Sequence, residues 1–145
     1  MIPNWLKLAK AEIGVYEWDG PDDNPQVVEY LHATDLDERD ANNDETPWCS
    51  AFVNWVMQRA GFKGTRSAMA RSWEDWGKEE LRVGAIAVFK RLGGGHVGFV
   101  TDWNSGSIKI LGGNQSDAVN EKWFPRSNLL TTRWPKYTKV VFVDA

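Results

Sequence analysis

The chain has 145 residues, a single cysteine at Cys49 and two histidines, His32 and His96. A thiol beside an imidazole is a nucleophile with its own proton acceptor, the minimal set for attack on an amide carbonyl. A free thiol ionises near pH ~8.5 and is mostly protonated at neutrality, so chemistry needs a setting that favours the thiolate. Thr46-Pro47-Trp48-Cys49 has the form of such a setting. Thr46 suits a helix cap and Pro47 a first helical position, which puts Cys49 in the first turn near the positive end of the helix dipole. A lone cysteine is more often an inert apolar side chain, so position alone does not make it a nucleophile.

A partner decides between these readings. His96 falls at the start of an expected strand, whereas His32 lies on an expected packing helix with no orienting group nearby. His96 is therefore the expected base. The imidazole also needs a side chain that fixes its tautomer and ring direction through its second nitrogen. Asn114 and Gln115 compete for that role. Strand alternation points them to opposite faces, so only one can serve. Asn114 is preferred for its short side chain, leaving Gln115 to line a groove with Trp48 and Trp73.

The elements that position these groups follow from periodicity. Residues 3–12 have the spacing of a short amphipathic helix, and Asn24-Pro25 caps a second. Residues 34–45 are polar and acidic and are expected as a solvated loop. They lack the glycine and alternating oxygen ligands of a calcium loop, so no metal site is expected. Residues 47–60 form the central helix: Cys49, Phe52, Val53, Val56, Met57 and Ala60 make one stripe, and Ser50, Asn54 and Gln58 an opposite polar strip. A capped turn is expected over residues 72–77. Strands are expected over 85–90, 96–103, 107–111, 120–124 and 139–143, the middle ones as an antiparallel meander. A helical half followed by an antiparallel half is an α+β chain.

Composition narrows the function. A length of 145 residues is expected as one domain, residues 1–145, and one cysteine excludes an internal disulfide. A net charge of −3 argues against broad binding to nucleic acid or anionic membrane. No apolar run approaches the ~20 residues of a membrane helix, so no membrane insertion is expected. The first residues lack the basic start and apolar run of a secretory signal, so synthesis and folding in the cytoplasm are expected. Nine tryptophans serve either a core or flat aromatic walls for a polymer.

Thr46-Pro47-Trp48-Cys49-Ser50-Ala51-Phe52, Ala70-Arg71-Ser72-Trp73, Gly95-His96-Val97-Gly98-Phe99-Val100 and Leu111-Gly112-Gly113-Asn114-Gln115 together resemble the CHAP type of papain-like cell-wall hydrolases, relatives of the NlpC peptidases. The resemblance implies a papain-like α+β fold with the cysteine heading a helix packed on an antiparallel sheet. It implies Cys49 as nucleophile, His96 as base and Asn114 as orienting residue, without a cofactor. The implied substrate is peptidoglycan, cut at the bond between muramic acid and L-alanine or within the stem or cross-bridge peptide. A monomer is expected, acting in the periplasm or wall after release through a holin or export by a secretion system; an immunity protein is a further expected partner. The alternatives are a noncatalytic wall-binding module and a papain-like hydrolase or transferase acting on a non-wall amide.

Overall fold

A computed structural model describes residues 1–145. The chain runs β1 (Ile2–Pro3), α1 (Asn4–Ala11), α2 (Pro25–Leu31), α3 (Glu38–Ala41) and α4 (Cys49–Arg59). A 3₁₀ turn (Ala70–Trp73) then leads to β2 (Lys78–Glu79), β3 (Ile86–Arg91), β4 (Gly94–Trp103), β5 (Ser107–Gln115) and β6 (Ala118–Pro125). A second 3₁₀ turn (Arg126–Asn128) precedes β7 (Leu129–Trp134), and β8 (Phe142–Val143) ends the chain. Six strands make one antiparallel sheet in the order β2-β7-β3-β4-β5-β6, while β8 returns to pair with β1. Helices first, then an antiparallel sheet, is the α+β architecture that the pattern predicts, with the Cys49 helix laid on the sheet.

Two differences from the expected elements stand out. Residues 129–134 form β7, which closes the sheet beside β3 and was not foreseen. Their alternation is weak, because Thr131 and Arg133 occupy the half-buried places of a strand covered on one face only. The terminal strand is shorter than residues 139–143 and joins β1 instead of the main sheet.

Helix α4 holds the two halves together. Phe52 meets Phe99 of β4 edge to face at 6.3 Å, and Tyr30 of α2 meets Phe52 at 5.1 Å and Trp55 at 5.0 Å. The expected polar strip of α4 does not face water. Ser50 and Asn54 are fully buried. Ser50 donates to the Ser67 carbonyl at 2.7 Å, and Asn54 donates to the carbonyls of Ser50 and Ser67 and accepts the Arg66 N–H at 2.8 Å. Gln58 donates to the Ala33 carbonyl at 2.9 Å. Buried polar groups need partners, and these supply them from the backbone of an otherwise irregular segment. One face of α4 therefore packs the sheet, and the other pins residues 65–73 beside Cys49.

The acidic segment also departs from expectation. Asp37 caps α3 by accepting the Asp40 N–H, and Asp44 is buried, accepting the N–H groups of Trp18 at 2.9 Å and Asn24 at 2.8 Å. The segment is a folded brace, not a solvated loop. No group of three or more His, Cys, Asp or Glu side chains is arranged to hold a metal ion.

Candidate active site

Helix α4 begins at Cys49, with Trp48 as its N-cap residue. Thr46 does not cap it, because its hydroxyl donates to the Asp40 carbonyl at 2.8 Å. The thiol thus stands at the first helical position, where N–H groups have no intrahelical acceptor. Burial raises the Cys49 pKa; the N–H groups of Val97, Ser50 and Cys49 itself and the charge of Arg91 work in the other direction. Cys49 as a residue is 9% exposed and borders a hollow of about 250 Å³ with Pro47, Ala68, Arg71, Gly94 and Gly95.

His96 comes from β4, one residue before Val97, whose backbone N–H lies near enough to Cys49 to lower its pKa. That end of β4 is open toward β5, since the β4–β5 register begins at Phe99 opposite Leu111. Alternation turns Phe99 toward α4 and His96 to the other face, where its ring stacks on Phe124 at 5.1 Å. Val97 thus lies beside Cys49, and His96, the residue before it, turns its ring to the Phe124 side of the sheet. No hydrogen bond joins Cys49 and His96: Nδ1 of His96 is buried and has no partner.

The second ring nitrogen is held by Gln115, not by Asn114. Oε1 of Gln115 lies 2.9 Å from Nε2 of His96. The reason is a β-bulge. Gly112 pairs with Asn120 and Gln115 with Ala118, so β5 has one residue more than β6 over this interval. Without it Asn114 would share the face of Gly112; with it, Gln115 does. A Cβ on Gly112 would lie 2.5 Å from Oε1 of Gln115 and 3.5 Å from Nε2 of His96, so the side chain at 112 must be absent for the pair to form. Asn114 supplies the left-handed turn of the bulge, with φ of 56°, a conformation asparagine tolerates better than most residues.

The amide of Gln115 cannot be turned around. Its nitrogen donates to the Asn120 carbonyl at 2.8 Å, to Oδ1 of Asn120 at 2.9 Å and to the Ile110 carbonyl at 3.2 Å. Exchanging O and N would set the oxygen against three acceptors. Oε1 therefore faces the histidine as an acceptor, Nε2 carries the ring proton, and Nδ1 of the neutral imidazole presents its lone pair. Burial holds the His96 pKa down to about 4; the Gln115 bond opposes this, and the charges of Arg91 and Lys122 add to it. The resting pair is a neutral thiol and a neutral imidazole.

The expected aromatic walls are absent from the groove. Trp48 and Trp73 are both fully buried. Trp48 stacks on Tyr30 at 5.7 Å and donates to Glu17 at 2.8 Å; Trp73 donates to Ser50 at 3.0 Å. Their large apolar surface serves the core beneath the site. His32 stands apart, 2.8 Å from Oδ1 of Asn42 on the surface. A separate hollow of about 300 Å³ between Phe62, Trp76 and residues 135–138 contains neither cysteine nor histidine.

A CHAP-domain family model matches residues 41–114, which is half of the chain and includes both Cys49 and His96. The chain belongs to the CHAP family. Comparison with curated proteins gave no match. CHAP domains are papain-like cysteine amidases and peptidases, and membership implies peptidoglycan hydrolysis. In this CHAP domain the match ends one residue before Gln115, the residue on His96. No helix is long and apolar enough to cross a membrane.

Proposed function

We propose that this CHAP domain hydrolyses an amide bond of peptidoglycan, between muramic acid and the stem or within the stem or cross-bridge peptide, by thiol acyl transfer at Cys49. The observation that carries the reading is the divided imidazole: Nε2–H is committed to Gln115, and Nδ1 is buried and unpartnered, on the strand whose next residue, Val97, lies beside Cys49. His96 is the general base and Gln115 the positioning residue.

Nδ1 takes the thiol proton as sulfur attacks the carbonyl carbon, giving a tetrahedral oxyanion and an imidazolium. The Cys49 N–H, at the first position of α4, is a donor for the oxyanion. Collapse breaks the C–N bond, and the imidazolium returns its proton to the leaving amine. Water then attacks the thioester, His96 takes its proton, and the acyl group leaves as a carboxylic acid while the thiol is restored. The neutral resting pair implies that proton transfer accompanies attack. The domain works as a monomer in the wall or periplasm, which it reaches through a holin or an export machine.

The test is digestion of purified peptidoglycan with mass spectrometry of the products. Wild type should release new amines, and Cys49→Ala and His96→Ala should release none while keeping the wild-type circular dichroism spectrum. An intact stem peptide freed from muramic acid marks an amidase, and a shortened stem an endopeptidase. Undiminished digestion by Cys49→Ala would refute the mechanism.

A further inference from the structure

The hollow beside Cys49 does not end at Arg71. A second, more open hollow is lined by Arg71, Lys90, Arg91, Leu92 and Asn128, and a third by Lys90, Arg91, His96 and Phe124. Arg71 borders the first two hollows and Lys90, Arg91 and Asn128 the last two, so the three adjoin as a groove around the β3–β4 hairpin. Its charge is of one sign. Arg71, Lys90 and Arg91 are exposed, and none takes part in an ion pair; the four ion pairs of the molecule join other residues. Three unpaired cations in one groove run against a chain of net charge −3.

The two arginines differ in freedom. Arg71 gives Nε to the Gly94 carbonyl at 3.2 Å, which fixes its side chain along the groove wall and leaves the terminal N–H groups of its fork unused. Arg91 makes no side-chain hydrogen bond and is close enough to shift both Cys49 and His96. The acids near the site lie on the Trp48 side: Glu17, bonded to the Trp48 indole, feels Asp117, Asp44 and Glu45. An anion is therefore favoured on the hairpin side of Cys49 and disfavoured beyond Trp48.

We infer that the groove receives a free carboxylate of the substrate, held by Arg91 and Arg71, so that the preferred substrate is a peptide with a carboxylate close to the scissile amide. A guanidinium fork matches a carboxylate in shape and charge, and binding there orients the amide over the sulfur. The inference rests on the amide-hydrolase reading and adds the substrate's charge. The carboxylate belongs either to an acidic side chain of the stem or to the peptide's C-terminus.

The experiment uses a purified muropeptide in three forms: both carboxylates free, the side-chain carboxylate amidated, and the C-terminal carboxylate amidated. For wild type, kcat/KM should fall roughly ten-fold or more on amidating one of them, the loss of one charge-assisted contact. Which form loses activity identifies the source. In Arg91→Gln the ratio between free and amidated forms should shrink to within about two-fold, with Arg71→Gln intermediate. The ratio is the deciding readout, because any effect of Arg91 on the thiol or imidazole is common to all forms and cancels. Equal cleavage of all three forms by wild type, or an unchanged ratio in Arg91→Gln, would overturn the inference and leave amide hydrolysis standing. Failure of wild type to cleave any form would remove the amide-hydrolase reading and this inference with it.

Discussion

Two hairpin ends flank Cys49, and they are built on opposite principles. The β3–β4 end is open: Leu92, Gly93 and Gly94 are exposed, and a Cβ on Gly93 or Gly94 would touch nothing within 4 Å. The β5–β6 end is closed. It contains three non-glycine residues with positive φ, Asn114 at 56°, Ser116 at 55° and Asp117 at 62°. Gln115 and Asn120 bind each other reciprocally, Asn120 donating to the Gln115 carbonyl at 2.8 Å. Backbone in sparsely populated conformations persists only where its surroundings over-determine it. The closed hairpin fixes the amide that meets His96, whereas the open one borders the hollow beside Cys49. One chain thus combines a rigid support with an accessible rim.

The contrast is broken most severely at Gln115. Gln115→Leu leaves Nε2–H of His96 buried without an acceptor and frees the ring to take the other tautomer. Loss of a histidine-orienting partner costs about a hundred- to ten-thousand-fold in turnover, and steady-state digestion of peptidoglycan should place Gln115→Leu there. Asn114→Gly keeps the left-handed bulge and should hold activity within about two-fold of wild type. Equal losses in the two variants would show that the bulge, and not the amide on His96, is what matters.

Acid should find the closed half next. His96 ionises at about 4 in the folded protein against an ordinary 6.5, so the unfolded chain binds the extra proton first as pH falls. The neutral ring's contribution to stability is complete above pH 6.5 and is lost on acidification through about pH 4. The loss amounts to about 3 kcal/mol at most. Urea denaturation at pH 7 and pH 4 should show a smaller pH dependence in His96→Gln than in wild type.

The smallest effects compare the hairpins directly. A Cβ at Gly113 would lie 2.7 Å from Cβ of Phe52 and 2.8 Å from the Trp48 ring. Gly113→Ala should cost about 1–3 kcal/mol by overpacking, and Gly94→Ala about 0.5 kcal/mol or less. Thermal melts of the two variants side by side measure the difference. Similar values would deny that one end is closed and the other open.

Much of this was legible in the residues. Asn24 caps α2, and Gly61 follows the last turn of α4, both as spacing predicts. The meander β3-β4-β5-β6 follows from apolar alternation and turn residues, because these are local signals. Periodicity separates the polar positions of α4 from the apolar ones but does not say whether a polar face meets water or a buried backbone. The tryptophans misled for the same reason: five of the nine, Trp5, Trp48, Trp55, Trp73 and Trp134, are core residues.

By itself the sequence determined the participants: one thiol at a helix start, one histidine at a strand start, and two amides at the end of the next strand. Tertiary structure alone decided which amide meets the imidazole. Alternation is a rule for unbroken strands, and one extra residue in β5 reverses it, putting Gln115 on His96 and Asn114 in the turn. That extra residue is defined only by the register against β6, a relation between distant segments that no local pattern records.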